Sequence, residues 1–292
     1  YKGKAGLASL FSEMMDEDTE HYTAEAFTTE LQKLGSRIDI RATRDGMQVQ
    51  VRTLRKHLAP TIDLLEERLL RSVFTEEAFE TSKKRTMENL KNLKNRPSYV
   101  AGSVFNKVNY GKGHILGHIT TEKTVGNIQL ADVRDFYDKY FSYRDAKVVV
   151  VGPVSEQEML SELGFLQQMK GHEVKLPAVT DAPVVKKTKI YMVDIPNAAQ
   201  TEFRMGYVTG MKYDAFGDYY RSTVMNYPLG GAFNSRLNLE LREDKGWTYG
   251  ARAYFDADQY SCIYGFSAGI KADATDSAMA SILNILTKYR KK

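Results

Sequence analysis

An arginine and a tyrosine are the two residues of this sequence best suited to chemistry. Arg242 and Tyr249 lie in the stretch GGAFNSRLNLELREDKGWTYG, which runs from Gly230 to Gly250. Both side chains donate hydrogen bonds and the guanidinium keeps its charge, so together they could grip a peptide carbonyl or stabilise a developing oxyanion. On residue types alone, an exposed arginine at a helix end and a strand tyrosine packed on a core explain the same pattern.

The elements around this pair predict how it is positioned. Gly230 and Gly231 allow the backbone to turn sharply into a helix. Asn234 is the predicted N-cap of that helix and Gly246 its C-cap. A strand over 248–255 follows at once, so the arginine on the last turns and the tyrosine at the strand start are expected to project from neighbouring points.

The remainder of the chain is predicted to alternate between helices and short strands. Helices are predicted over 5–15, 23–34, 58–70, 76–93, 99–108, 130–140, 155–169, 216–227 and 274–289, and strands over 37–42, 47–52, 146–151, 190–193, 202–208 and 262–270. Asp45-Gly46 predicts the turn of a hairpin between the first two strands. This order is typical of an α+β fold with antiparallel sheets packed against helices.

A polar, proline-containing stretch divides the chain. Residues 172–187, with Pro177 and Pro183, are the predicted linker between two related domains, 1–171 and 188–292. The second domain is expected to be incomplete. The chain opens at Tyr1 rather than a methionine, so we expect it to be a fragment.

Composition argues against several classes of function. The 41 basic residues among 292 are interleaved with 37 acidic ones, which argues against a nucleic-acid-binding face despite a net charge of +4. No apolar run reaches membrane-spanning length. Cys262 is the single cysteine and is predicted to be a buried thiol in a strand. His114 and His118, flanked by glycines in GKGHILGH, predict a surface loop.

Three stretches resemble one known family. The Gly230–Gly250 stretch is similar to the segment of the M16 (insulinase/pitrilysin) zinc peptidases that contains their Arg/Tyr pair, and VDIPNAAQTEFRMGY and GLASLFSEMM resemble other parts of such domains. The resemblance implies that Arg242 binds the substrate carbonyl region and that Tyr249 donates to the tetrahedral intermediate. It also implies a substrate-binding role for the neighbouring Gly230, Gly231 and Phe233.

The metal motif of that family is degenerate in this chain. An active half needs His-x-x-Glu-His on its first helix, with two histidines as zinc ligands and the glutamate as general base. Ser9, Ser12 and Glu13 stand at those positions. Glu88 lies roughly where a distal glutamate ligand would fall, and without the histidines it is predicted to be a solvated helix residue. No metal ligand set is therefore predicted in this chain.

The combination predicts a substrate-binding half of a zinc metallopeptidase. The resemblance implies that zinc belongs to a complementary half, fused or separate, that peptides are the substrates, and that this chain alone is inactive. It implies a bacterial protein of the periplasm, with the cytoplasm as the alternative. A structural or chaperone-like relative without a proteolytic role is the second hypothesis, and an unrelated binding module is the third.

Overall fold

A computed structural model describes residues 1–44, 46–144, 146–176 and 178–291, which contain helices and antiparallel sheets joined by loops. The chain separates into two units, Tyr1–Leu90 with Thr120–Pro177 and Lys91–Ile119 with Ala178–Lys292. The predicted α+β class is confirmed. The domain division drawn at 172–187 stays a prediction. Asp45 of the predicted turn and Pro177 of the predicted linker lie outside the described residues.

The helices and strands are named here in chain order. They are α1 (Leu7–Met14), α2 (Ala24–Leu34), β1 (Arg37–Ala42), β2 (Met47–Arg52), α3 (Leu58–Leu70), α4 (Glu76–Lys94), α5 (Pro97–Tyr110), α6 (Glu122–Gly126), α7 (Leu130–Tyr140), α8 (Glu156–Glu162), β3 (Gln200–Thr209), α9 (Asp218–Asn226), α10 (Arg236–Asn238), β4 (Thr248–Ala257), β5 (Cys262–Lys271) and α11 (Thr275–Arg290). No described helix is long and apolar enough to cross a membrane.

The first unit contains the predicted hairpin and a helix that packs on it. Strands β1 and β2 pair in antiparallel register from Arg37 opposite Arg52 to Ala42 opposite Met47, which confirms the hairpin. Helix α1 contributes fully buried apolar side chains, among them Phe11. Polar residues face outward on β1 because successive side chains of a strand point to opposite faces.

The second unit is built on a three-stranded antiparallel sheet in the order β3-β5-β4. One face of the sheet is apolar and is covered by α10 and α11. Its buried cluster consists of Leu229, Leu237, Leu241, Ala251, Ala253, Phe266, Ala268, Ile270, Ala274, Ala278 and Ile282. Helix α5 packs on the opposite face, where Phe105 and Tyr110 form a second buried cluster with Ile263. Cys262 is buried, as predicted.

Two predicted strands are wrong. The segments 146–151 and 190–193 form no strand within the described residues. Val149 and Val151 are 86% and 95% exposed, and Met192 is 91% exposed. Apolar, β-branched sequence favours an extended chain, but a strand also needs a hydrogen-bonded neighbour, and no described strand pairs with either segment.

Candidate functional site

The helix that bears Arg242 is not a regular α-helix. Helix α10 continues into a π-helical turn over Leu239–Asp244, whose C-cap is Lys245 and not the predicted Gly246. Gly246 follows with a φ of 61°. The N-cap position falls on Ser235 and not on Asn234, because Ser235 is the last residue with extended backbone angles. A π-helical turn widens the helix locally, and such turns are frequent at functional sites.

The guanidinium of Arg242 is held over an aromatic ring. Its central carbon lies 4.4 Å from the centre of the Phe233 ring. Atom Nη1 lies 3.2 Å from Oε1 of Glu243, close enough for charge attraction. The alignment is not that of a hydrogen bond, so Nη1 is buried without a hydrogen-bond partner. The structure therefore brings together two predicted site residues, Arg242 and Phe233, and leaves a guanidinium donor available.

Tyr249 lies in a β-bulge at the start of β4. Thr248 is opposite Ile270 on β5, but the next regular pair joins Ala251 to Ala268, so β4 has one extra residue there. The side chain of Tyr249 is 90% exposed. Within the described part of the chain its hydroxyl has no hydrogen-bond partner. A direct pairing of Tyr249 with Arg242 stays a prediction.

Gly230 and Gly231, which precede the loop of residues 232–235, differ in how closely their surroundings approach them. A Cβ atom on Gly230 would lie 2.6 Å from both the Cβ and the backbone nitrogen of Ala253, and 2.8 Å from Cδ1 of Leu237. A Cβ on Gly231 would meet nothing closer than 3.5 Å. Neither glycine has a positive φ. Gly230 is therefore required by the close approach of the π-helical turn Tyr227–Gly231 to β4, rather than by a sharp turn.

Two buried asparagines, which the sequence analysis missed, fasten β4 to the helices of the site. Nδ2 of Asn226 donates to the carbonyl of Ala253 at 2.6 Å. Oδ1 of Asn238 accepts from the N–H of Ala251 at 2.7 Å, and its Nδ2 donates to the carbonyl of Ala232 at 3.3 Å. Their signal in the sequence is weak: asparagine is unfavourable inside a helix, which hints at a tertiary partner without naming it.

The outer edge of β4 is partly closed by these side chains. In an antiparallel strand, alternate residues direct both N–H and C=O away from the paired neighbour. Asn226 and Asn238 bond such outward groups, and the hydroxyl of Tyr219 donates to the carbonyl of Phe255 at 3.4 Å. Side chains from α9 and α10 thus occupy positions that a further strand would use.

Unpartnered buried polar atoms are concentrated around the loop. In the described part of the chain they are Oδ1 of Asn226, Oγ of Ser235 and Nη1 of Arg242. Buried polar groups are normally hydrogen-bonded, and each exception calls for an explanation. Of the three residues, Arg242 has a side chain that is partly exposed, at 32%, although its Nη1 atom is itself buried.

The degenerate metal motif serves the fold of the first unit. Oγ of Ser12 donates to the carbonyl four residues back at 2.8 Å and accepts from the N–H of Ala42 at 3.0 Å. Oε2 of Glu13 accepts from Oγ1 of Thr86 at 3.1 Å. With serines at both Ser9 and Ser12, these positions do not fit zinc, which prefers imidazole, thiolate and carboxylate ligands.

His114, His118 and Glu88 are not grouped into a metal site in the part of the chain that the structure describes. Among the described residues no group of three or more potential ligands is arranged to hold a metal ion, and Glu88 is exposed. The surface loop predicted for His114 is wrong: its ring is 2% exposed, lies 4.7 Å from the ring of Tyr110, and accepts from the N–H of Leu116 at Nδ1. Burial lowers the pKa of His114. His118 is exposed.

Two models of one family match the chain. Residues 127–292 match the model described as "Peptidase M16 inactive domain", and residues 2–121 match "Insulinase (Peptidase family M16)". Together they cover nearly all of the sequence.

Individual relatives point the same way. A Helicobacter pylori protein named "Non-peptidase homolog YmxG" is 23% identical, over 100% of this chain and 67% of its own length. A Bacillus subtilis protein named "Uncharacterized zinc protease YmxG" is 21% identical, over 98% of this chain and 69% of its own length. The crystal structure of a peptidase M16 inactive domain from Pseudomonas fluorescens superposes with a TM-score of 0.91 at 22% identity, covering 100% of this chain and 71% of that one.

Proposed function

This chain belongs to the M16 family of peptidases, and we propose that it is a substrate-binding half without a metal, which grips peptide for a zinc-bearing half. The observation that carries the proposal is the state of Arg242. Its guanidinium is held over Phe233 with Nη1 unbonded. A buried, unbonded donor is costly to a fold, so a ligand that satisfies it explains why it is kept.

In this proposal the two donors have different tasks. Arg242 bonds a peptide carbonyl with a guanidinium N–H, and the exposed part of Phe233 contacts the neighbouring peptide side chain. Tyr249, with an exposed hydroxyl, donates to the oxygen on which charge develops during hydrolysis. The positions of Ser12 and Glu13 are occupied with contacts of the fold, so the metal and the attacking water belong to the complementary half.

The alternative is a structural or chaperone-like M16 relative without a proteolytic role. The relative named as a non-peptidase homologue favours it. Such a protein needs neither an unbonded guanidinium nor an exposed hydroxyl at fixed places. The partner half, the peptide substrates and a periplasmic location remain parts of the proposal.

Peptide binding by the whole chain is the first test. The affinity for a fluorescein-labelled, unstructured peptide, the oxidised insulin B chain, is measured by fluorescence anisotropy. We expect Arg242→Ala to weaken it about 10-fold, typical of a lost charged hydrogen bond. Arg221→Ala, which removes an exposed arginine of the same unit paired with Asp218, is the matched control and should change nothing. Equal effects of the two variants would refute the role of Arg242.

The neighbouring carboxylate offers a second test of the same site. Glu243 attracts the guanidinium of Arg242 at 3.2 Å and so competes with a ligand for it. Glu243→Gln is expected to tighten peptide binding, and the gain should vanish when Arg242→Ala is also present. A gain that survives in the double variant would mean that Glu243 acts through general charge.

Turnover with a purified zinc-bearing M16 subunit tests Tyr249. Tyr249→Phe should lower kcat by about 10- to 1000-fold, as for loss of one oxyanion donor, and leave the unfolding midpoint unchanged. Tyr220→Phe, at another exposed tyrosine of the same unit, is the control. Peptide binding without any turnover in the presence of that subunit would favour the structural or chaperone-like alternative.

A further inference from the structure

We infer that Asn238 is a positioning residue, whose amide holds the bulge of Tyr249 in register with the loop of Phe233. Phe233 in turn supports Arg242, so one buried side chain would set the spacing between both donors. The inference rests on the proposed function, because it concerns the same two site residues. Its structural part can nevertheless be tested without a peptide.

The amide of Asn238 can take only one orientation. It accepts from a backbone N–H and donates to a backbone C=O, so Oδ1 must face Ala251 and Nδ2 must face Ala232. The side chain is 6% exposed, and water competes little for these bonds. Breaking the bond to Ala251 leaves a buried N–H without a partner, whereas the carbonyl of Ala232 also accepts from the N–H of Ser235 at 3.2 Å.

The bond to Ala251 fixes one end of the bulge. The N–H of Ala251 points away from β5, so no strand of the sheet satisfies it, and Asn238 takes that place at 2.7 Å. At the other end, Oγ1 of Thr248 accepts from the N–H of Gly250 at 3.1 Å. Tyr249 lies between these two fixed points, and its backbone is therefore held although its side chain is exposed.

The bond to Ala232 fixes the loop. Ala232 is buried and directly precedes Phe233, whose ring lies under the guanidinium of Arg242 at 4.4 Å. A change in the direction of the Ala232 carbonyl would rotate the peptide that joins it to Phe233. The N–H of Ser235 donates to the same carbonyl at 3.2 Å, so the aromatic support of Arg242 depends on the donor atom of Asn238 together with this backbone bond.

Asn226 provides the matched comparison. It is buried like Asn238, at 4% exposure, and it also bonds β4, at the carbonyl of Ala253. That bond lies beyond the bulge and involves no group of the Phe233 loop. A loss of general stability should appear in both asparagine variants, whereas release of the bulge should appear in one.

Amide hydrogen exchange in the complete chain tests the structural part. Asn238→Ala should speed exchange at Ala251 about 10-fold or more relative to Phe266 in the central strand, and Asn226→Ala should not. Asn238→Asp keeps the acceptor for Ala251 and loses the donor to Ala232, so it should protect Ala251 and speed exchange in the loop. Equal exchange at Ala251 in the two alanine variants would overturn the inference. If Asn238→Ala does not fold, Asn238→Asp alone decides, and an unaltered loop would overturn it.

Kinetics with a zinc-bearing M16 subunit test the functional part. Asn238→Asp should raise KM about 10-fold with kcat nearly unchanged, because the loop under Arg242 is released while the bulge is held. Asn238→Ala should change both parameters, and a merely structural asparagine would give no such split. If the unmodified chain supports no turnover and binds no insulin B chain, the proposed function fails. The exchange data then still decide whether Asn238 holds the bulge of Tyr249 and the loop of Phe233 in place.

Discussion

Gly230→Ala should destabilise the second unit, whereas the same change one residue later should not. The new Cβ would lie 2.6 Å from two atoms of Ala253, one of them a backbone nitrogen of β4. Neither backbone can yield without moving the π-helical turn off the sheet. Overpacking of this kind costs about 1–3 kcal/mol. Gly231→Ala meets ordinary contact distances and should be neutral or stabilising by about 0.4–1 kcal/mol, through the unfolded chain.

The single tryptophan allows the stabilities of the Gly230→Ala and Gly231→Ala variants to be compared in the second unit. Trp247 packs against the buried cluster of the second unit, and the chain has no other tryptophan. A whole-chain midpoint would mix two units, so tryptophan emission is the better probe. The cost estimated for Gly230→Ala corresponds to a fall in Tm of roughly 2–12 °C for a unit of this size.

Circular dichroism of both variants serves as the control for overall folding. A Gly230→Ala variant that unfolds with the midpoint of the unmodified protein would refute the reasoning. It would mean that the π-helical turn is not held against β4, and the placement of Phe233 in the loop would lose its basis.

Two further predictions concern buried groups outside the site. Burial depresses the pKa of His114, so as pH falls below its ordinary value of 6.5 the unfolded chain gains a proton that the folded chain resists. The free energy of unfolding should be highest above that value and fall by up to about 1.4 kcal/mol per pH unit below it. Unfolding measured between about pH 5 and 8 should show this slope, and His114→Asn should remove it. Ser12→Ala should cost about 1–3 kcal/mol in urea unfolding, because the N–H of Ala42 loses its acceptor. Ser9→Ala, on the same helix, should be nearly neutral, and equal losses would contradict the assigned role of Ser12.

Local patterns in the sequence predicted most elements of the fold. The hairpin over 37–52 and the paired strands β4 and β5 follow from alternating polarity and turn residues, and helix α11 follows from apolar residues at helical spacing. The segments 146–151 and 190–193 are not strands, since no described strand pairs with them. The sequence of a segment does not show whether it has a pairing partner, so this part of the prediction was wrong.

The sequence identified individual residues of the candidate site but did not predict how they are arranged. Arg242 and Phe233 were both named, but their stacking depends on a π-helical turn that has no clear signature in sequence. Asn238 was missed because its two partners are backbone groups, which every residue possesses. The role of Gly230 was misjudged for a related reason: close packing and backbone flexibility both call for glycine.

The partly closed edge of β4 makes the sheet of the second unit directional. With Tyr219, Asn226 and Asn238 bonded along that side, a new strand would first have to displace three side chains. Strand β3 forms the opposite edge of the sheet. Any lengthening of the sheet, whether by a neighbouring domain or by misassembly between copies, is therefore favoured from the β3 side, and β4, which bears Tyr249, remains the boundary of the sheet.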